Sequence, residues 1–339
     1  MDIKTGVPLK NYTTMRLGGE ARFMTSVTSA DDVEKIYENA KKQNLPIFIL
    51  GGGSNTIVSD EGFDGIVVLN RIRGFEVVDD NQSSVTIRVG SGEIWDEIIE
   101  KTVDMGLIGT ETMSGIPGTV GAAPVQNIGA YGQELADTMV SLEAYDSETN
   151  KMVELYSEEC KFSYRHSIFR GEMSGRFCIT SVTLKLYRAM PQPPFYSGLQ
   201  RYLDEHMITI FTPRTIRDAV LAIRKDKLPD PRERPNTGSF FKNAIIEKWQ
   251  FEELKNQYFD MPSYDMPDGH YKIPTGWLIE QTGLKGQLIS GMRVHDKNAL
   301  VLINESASNY ADLADAREKI IQAVYDKFHI LIEQEPLEI

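Results

Sequence analysis

The sequence predicts an α+β protein, strand-rich through its centre and more helical toward its end, and three observations carry that prediction. Short apolar runs bounded by glycine and turn residues crowd the region from Ile66 to Tyr187. After the proline cluster Pro191–Pro194 the apolar residues fall at helical spacing instead. A length of 339 residues exceeds what one core usually organises, so two or three domains are expected, with a boundary in the composition shift near 190–215.

The elements follow in order. Ser29 with Asp32 is a capping pattern that opens a helix to about Gln43, and Pro46–Leu50 is a short apolar strand that stops at Gly51. Ile66–Leu69, Phe75–Val78 and Val85–Val89 read as strands, Glu93–Met105 as an amphipathic helix, and Val140–Tyr145 and Phe177–Tyr187 as further strands. Beyond the boundary, Thr215–Lys227, Glu247–Asn256 and Asn309–Phe328 read as helices. No internal repeat or low-complexity segment interrupts the series.

Composition narrows the function. A formal net charge of −13 argues against a nucleic-acid partner, because phosphate binding needs a basic surface to release counterions. No run of about 18 apolar residues is present to span a bilayer and the N-terminus has no leader pattern, so membrane insertion is not expected and the cytoplasm is. Cys160 and Cys178 are too few for a disulfide framework, and the five histidines form no HxxH or HExxH pair, so no metal site is expected. Charge is nonetheless uneven: Arg214–Lys242 holds eight Lys or Arg against four Asp or Glu. A solvated helix face accounts for its first half; the second half, broken by prolines and Gly238, reads as a basic loop suited to a small anion.

Two glycine-rich stretches carry chemistry. Gly51, Gly52 and Gly53 with Ser54 and Asn55 directly follow a predicted buried strand, where converging backbone N–H groups can hold an anion; a tight glycine turn is the competing reading. This is no Rossmann fingerprint, since the chain does not continue GxGxxG into a helix. The second stretch, Ser114–Gly132, spaces Gly115, Gly118, Gly121, Gly129 and Gly132 along a segment where Pro117 and Pro124 exclude a regular helix through most of it. Its backbone is the expected working surface, with the Gln126 and Asn127 amides able to meet a heterocycle edge, against the alternative of a purely structural loop.

With those motifs in place the chain resembles the FAD-binding domain of the vanillyl-alcohol-oxidase (PCMH-type) superfamily. Within it, the chain closely resembles the UDP-N-acetylenolpyruvoylglucosamine reductase (MurB) family of peptidoglycan synthesis. Besides the glycine stretches, the resemblance rests on Ser163–Phe169 (SYRHSIF), Lys227–Pro231 (KLPDP), Gly238–Asn243 (GSFFKN), Gly276–Gly286 (GWLIEQTGLKG) and Val294–Asn304 (VHDKNALVLIN), and it runs from about Asn11 to the end. It implies a two-lobed FAD-binding domain, with lobes at 1–70 (joined by 329–339) and 71–212, followed by an α/β substrate domain at 213–328. It also implies that Gly51–Asn55, the run Ser114, Gly115, Ile116, Pro117 and Gly118, and Gly121, Ala122, Gln126, Asn127 and Gly129 hold FAD.

The implied reaction is NADPH-dependent reduction of UDP-N-acetylglucosamine enolpyruvate to UDP-N-acetylmuramate. Ser239 matches the family's proton donor, Arg165 its catalytic arginine, and Glu335 its catalytic glutamate. Taken alone these residues also read as a turn serine, a surface ion-pair arginine and an exposed terminal acid. The tail here reads IEQEPLEI, where the family more often has proline before and valine after that glutamate, so Glu333 or Glu338 takes the role if the register slips. Lys227, Asn243 and Asn298 match positions that contact the UDP portion, Tyr164 lines the pocket or orients Arg165, and Tyr196 matches the mobile tyrosine of the type I branch. No His precedes His166 and no Cys precedes Cys160, so both glycine loops lack an attachment residue and the FAD is expected to be noncovalent. NADPH is implied to share the substrate pocket in turn, and a monomer is expected. The remaining alternatives are another FAD oxidoreductase of the same fold and a catalytically idle flavin- or nucleotide-binding module.

Overall fold

The computed structural model describes residues 2–339. Its contacts divide the chain into two units: Met1–Val7, Ala21–Gly52 and Asp64–Asp226 form the first, and Pro8–Glu20, Gly53–Phe63 and Lys227–Ile339 the second.

Two larger sheets build the first unit. In one, Lys4–Pro8, Glu20–Val27, Phe63–Asn70 and Ile47–Leu50 lie in that order, the last two parallel with Ile47 opposite Ile66. Helix α1 (Ala30–Gln43) packs Val33, Ile36, Tyr37 and Ala40 against it; Ser29 caps the helix by accepting from the Asp32 N–H, as the sequence pattern requires. The other sheet is antiparallel, in the order Lys151–Tyr156, Met139–Asp146, Phe177–Tyr187, Ser84–Gly90, Phe75–Asp80. Its central strand Phe177–Tyr187 is buried through most of its length, whereas the edge strand Lys151–Tyr156 is half exposed. Helix α2 (Trp95–Asp104) lays Trp95, Ile98, Ile99 and Val103 on this sheet. Helices α3 (Ser197–Glu205) and α4 (Pro213–Lys227) form a smaller core from Leu199, Leu203, Ile216, Val220 and Ile223. Cys160 and Cys178 are buried free thiols that burial pushes up to about 12.

The segment Ser114–Gly132 departs from its sequence reading at one point. Val120–Gln126 winds as a short 3₁₀ helix with Pro124 inside it, since a run this brief keeps few ladder bonds for a proline to interrupt. The segment ends in a tight hairpin, Gly129–Ala130 pairing with Gln133–Glu134; both turn residues have positive φ, Tyr131 at 49° and Gly132 at 91°.

The second unit is built around a sheet in the order Asn236–Ser239, Val301–Asn304, Met292–Val294, Leu288–Ile289. A smaller sheet takes Ala244–Ile246, Tyr271–Ile273 and Tyr264–Asp265. Helices α5 (Lys248–Gln257), α6 (Thr275–Gln281) and α7 (Tyr310–Phe328) enclose a core that includes Phe240, Phe241, Leu278, Ile320 and Phe328. Leu337–Glu338 lies parallel to Thr56–Ile57, so the tail is a strand of this unit.

Candidate active site

The first glycine loop leaves no room for side chains. A Cβ on Gly51 would lie 2.7 Å from Thr119 Oγ1, and one on Gly52 would lie 2.9 Å from Gly118 Cα, so the backbones of the two glycine stretches touch. Gly53 has φ +64°, and a Cβ there would meet the Tyr12 carbonyl at 2.0 Å. Beside it, Thr13 Oγ1 is buried with no hydrogen-bond partner among the described residues. Close packing thus demands glycine along this loop, and the exposed Gly52 offers backbone, not side chain, to a ligand. These are features FAD, with its pyrophosphate and flat ring, can use.

The second loop is shaped by polar contacts inside the first unit. Ser114 is fully buried and donates to the Glu111 carbonyl at 2.6 Å. Gly115 N–H donates to Asp96 Oδ1 at 2.6 Å, and Gly121 N–H to the Ser91 carbonyl at 2.8 Å. Asn127, fully buried with φ +47°, gives its Nδ2 to Glu134 at 2.7 Å and receives the Ala136 N–H on Oδ1 at 3.0 Å. Gln126 Oε1 accepts from Arg170 at 2.9 Å. The side chains of Asn127 and Gln126 thus brace the loop from within. Ile116, Pro117, Ala122 and the Gly129 backbone remain partly or fully open.

Arg165 stands at the tip of a turn closed by reciprocal Ser163 and His166 backbone bonds of 3.1 Å. Its φ is +54°, and its guanidinium donates to the Gly129 carbonyl at 3.1 Å while lying 5.3 Å over the Tyr164 ring. Arg165, Tyr164 and the end of the second glycine stretch are therefore one local cluster. Tyr196 is exposed and meets the Tyr131 ring edge-on at 6.0 Å.

In the second unit Ser239 ends its strand opposite Val301, with Gly238 at φ +72° turning the chain into it. Phe240 and Phe241 that follow are fully buried and fix the loop in the core. Glu335 is brought to this loop: its N–H donates to the Phe240 carbonyl at 2.8 Å, and Gln334 bridges Phe241. The three tail glutamates separate by environment. Glu335 is 7% exposed, whereas Glu333 is a surface acid paired with Lys242 at 3.0 Å. Glu338 pairs with Arg317 at 2.8 Å and accepts from the Tyr310 hydroxyl; burial opposes its charge, but these partners outweigh it and hold its carboxyl below the usual range. Asn243 accepts the Thr275 N–H at 3.2 Å, Asn298 accepts the Leu300 N–H at 3.2 Å, and Lys227 is exposed at the end of α4.

The structure revises the charge reading. Arg217 belongs to no solvated face: it is 3% exposed and meets Asp96, while Arg214, part exposed, pairs with Asp104 and Glu100. Arg232 folds back on Asp230. Local counting missed this because the α2 acids are more than 100 residues away in sequence. His295, which sequence reading did not single out, is buried beside Val301 on the side away from Ser239, and burial lowers its imidazole below the ordinary value. Among the described residues no cluster of three His, Cys, Asp or Glu is placed to hold a metal ion, and no helix is long and apolar enough to cross a membrane.

Comparison with known proteins identifies the family. Residues 21–156 match the model of the FAD binding domain, and residues 230–339 match that of the UDP-N-acetylenolpyruvoylglucosamine reductase C-terminal domain. The chain is 40% identical over 97% of its length, and 95% of the relative's, to a UDP-N-acetylenolpyruvoylglucosamine reductase from Burkholderia cenocepacia (strain HI2424). It is 39% identical to one from Paraburkholderia xenovorans (strain LB400), covering 98% of this chain and 96% of that one. The crystal structure of the reductase (MurB) from Thermus caldophilus aligns with a TM-score of 0.69 at 23% identity, covering 100% and 99% of the two chains, and shows the shared fold. The cofactor-domain match and these relatives define an FAD-dependent oxidoreductase with a PCMH-type cofactor domain. Identity over nearly the whole length is more specific: the chain belongs to the UDP-N-acetylenolpyruvoylglucosamine reductase family.

Proposed function

We propose that this chain reduces UDP-N-acetylglucosamine enolpyruvate to UDP-N-acetylmuramate, with NADPH as reductant, Ser239 as proton donor, and Arg165 and Glu335 as the other catalytic groups. Gly51–Asn55, with Ser114–Gly118, Gly121, Ala122, Gln126, Asn127 and Gly129, would hold a noncovalent FAD. Bound FAD supplies hydride transfer, from NADPH to the methylene carbon of the enolpyruvyl double bond.

Hydride addition leaves negative charge on the adjacent carbon and its carboxylate. Arg165 answers the carboxylate: a guanidinium keeps its charge at every working pH, and its tie to the Gly129 carbonyl fixes where that charge sits. Ser239 delivers the proton. A hydroxyl is a weak acid in water, and it can give its proton to a strongly basic carbanion where water is excluded. Glu335 polarises or hydrogen-bonds the intermediate from the segment bonded to the Ser239 loop. What supports the assignment is the Glu335 N–H bond to the carbonyl of Phe240, the residue after Ser239, together with the burial of Glu335. Lys227, Asn243 and Asn298 take the UDP portion, Tyr196 closes on the diphosphate, and Tyr164 orients Arg165 through its ring. The protein acts as a monomer in the cytoplasm, without nucleic-acid partners.

Anaerobic mixing tests the reading. NADPH should bleach the flavin colour and the enolpyruvyl substrate restore it; Ser239→Ala should leave the bleaching intact and stop the return. Equal turnover in both proteins would remove Ser239 from the mechanism. Colour released by acid precipitation marks the flavin as noncovalent, and colour kept in the pellet contradicts it.

A further inference from the structure

Helix α4 buries a charge where an amphipathic helix would ordinarily place an aliphatic residue. Arg217 is 3% exposed among Ile216, Val220 and Ile223, and taking a guanidinium out of water is unfavourable by several kcal/mol unless a partner compensates. That partner is Asp96, in the first turn of α2: its Oδ1 is 2.5 Å and its Oδ2 3.0 Å from the two terminal nitrogens of Arg217, and Glu100 is more distant at 4.0 Å. The same Asp96 Oδ1 accepts the Gly115 N–H at 2.6 Å. Burial works against the carboxylate's charge, but Arg217 and the Gly115 N–H outweigh it and hold it below the usual range.

Two further contacts converge on that stretch of loop. Gly115 has φ +72°, and a Cβ there would lie 2.9 Å from Leu221 and 3.1 Å from Arg224, so the next turns of α4 lie directly against its Cα. Three residues on, the Gly118 carbonyl accepts the N–H of Trp95, the neighbour of Asp96, at 3.1 Å. The first turn of α2 therefore grips both ends of Gly115–Gly118, and Gly118 is the residue whose Cα the Gly52 backbone touches. At the far end of the same helix pair, Arg214 joins Asp104 and Glu100 in a more exposed contact, with none of these links to the glycine loop.

We propose that Asp96 and Arg217 are a positioning pair for the flavin: the buried ion pair fixes the Gly115 N–H, and through it the Gly115–Gly118 backbone, in its FAD-binding shape. The inference rests on the reading that the two glycine loops hold the cofactor. Glu100 and Arg224 are the other charged groups beside the pair, and neither bonds the loop N–H.

The test is FAD affinity of protein stripped of flavin, measured by quenching of FAD fluorescence, with far-UV circular dichroism as the check on folding. Asp96→Asn combined with Arg217→Met removes both charges together and should raise the Kd for FAD roughly tenfold or more, the range typical when a supporting contact behind a ligand shell is lost. Arg214→Met combined with Asp104→Asn should leave the Kd within about twofold, because that contact is a helix staple only. A folded Asp96/Arg217 variant with unchanged Kd overturns the proposal, as does an equal loss in the Arg214/Asp104 control. Should the double variant fail to fold, Arg217→Lys decides: it keeps the charge, loses the two-pronged geometry, and should weaken FAD about threefold; an unchanged Kd overturns the proposal. Gly52→Ala separates this from the reading beneath it. Retention of FAD there sinks the cradle itself, whereas loss of FAD there with full affinity in the Asp96/Arg217 variant sinks only the positioning role.

Discussion

The glycine loops and the Ser239–Glu335 loop are held in place by opposite means. Around Gly51, Gly52 and Gly53 the chain is fixed by missing side chains, since each Cβ would strike a neighbour within 3.0 Å. Around Ser239 it is fixed by pairing and burial: Val301 opposite Ser239, two fully buried phenylalanines, and a backbone bond from Glu335. The first kind of site is specified by what a residue lacks and the second by which distant segments meet, so the two should fail differently when altered.

The largest effect is expected at Gly53. Replacement by alanine places a Cβ 2.0 Å from the Tyr12 carbonyl at a φ alanine resists, and should remove about 3 kcal/mol or more of stability together with bound FAD, read by urea unfolding and flavin content. A folded variant with full flavin would break the comparison. Next is Glu335→Gln, which should lower turnover about 100-fold while leaving flavin content and unfolding midpoint nearly unchanged. Glu333→Gln and Glu338→Gln should stay within a few-fold; a large loss in either would shift the assignment along the tail.

A third change separates general stability from both sites. Arg176 and the N–H of Glu148 hold the buried Asp146 carboxyl well below its ordinary range. A depressed carboxyl contributes stability that is present above the unfolded value near pH 4 and is lost as pH falls through the folded one. Asp146→Asn should therefore lower neutral-pH stability by roughly 3 kcal/mol, and the gap from the parent should close below about pH 4, with FAD affinity at neutral pH unchanged. The smallest effect is at Thr13. Thr13→Val removes a buried hydroxyl with no hydrogen-bond partner among the described residues, so the flavin-free protein should hold or gain up to about 1 kcal/mol while FAD binds less tightly; equal affinity would mean the hydroxyl serves no ligand.

The same contrast governs what sequence could reveal. Sequence showed the glycine loops because a required absence of side chains is written in residue identity. The Ser29 cap is equally plain, and the helix after Asn309 shows in its apolar spacing, with Asn309 found to accept the Asp312 N–H. Strand Phe177–Tyr187 matches its apolar run end to end. The strands at Asn236–Ser239, Met292–Val294 and Val301–Asn304 were not read, since three or four residues carry too little periodicity. Edge strand Lys151–Tyr156, half exposed, lacks a continuous apolar run. Nothing local marked Asp96 as the partner of Arg217, 121 residues away, or separated Glu335 from its two acidic neighbours, because burial is a property of the packed chain.

The parallel pairing of Leu337–Glu338 with Thr56–Ile57 has a consequence for how the molecule is made. Every residue of the first unit has been synthesised once Asp226 has emerged. The second unit draws on Pro8–Glu20 and Gly53–Phe63 and must wait for Leu337–Glu338 before the ladder with Thr56–Ile57 closes. Loop closure over some 280 residues comes late and slowly, so the segment that carries Glu335 reaches the Phe240 carbonyl late in folding.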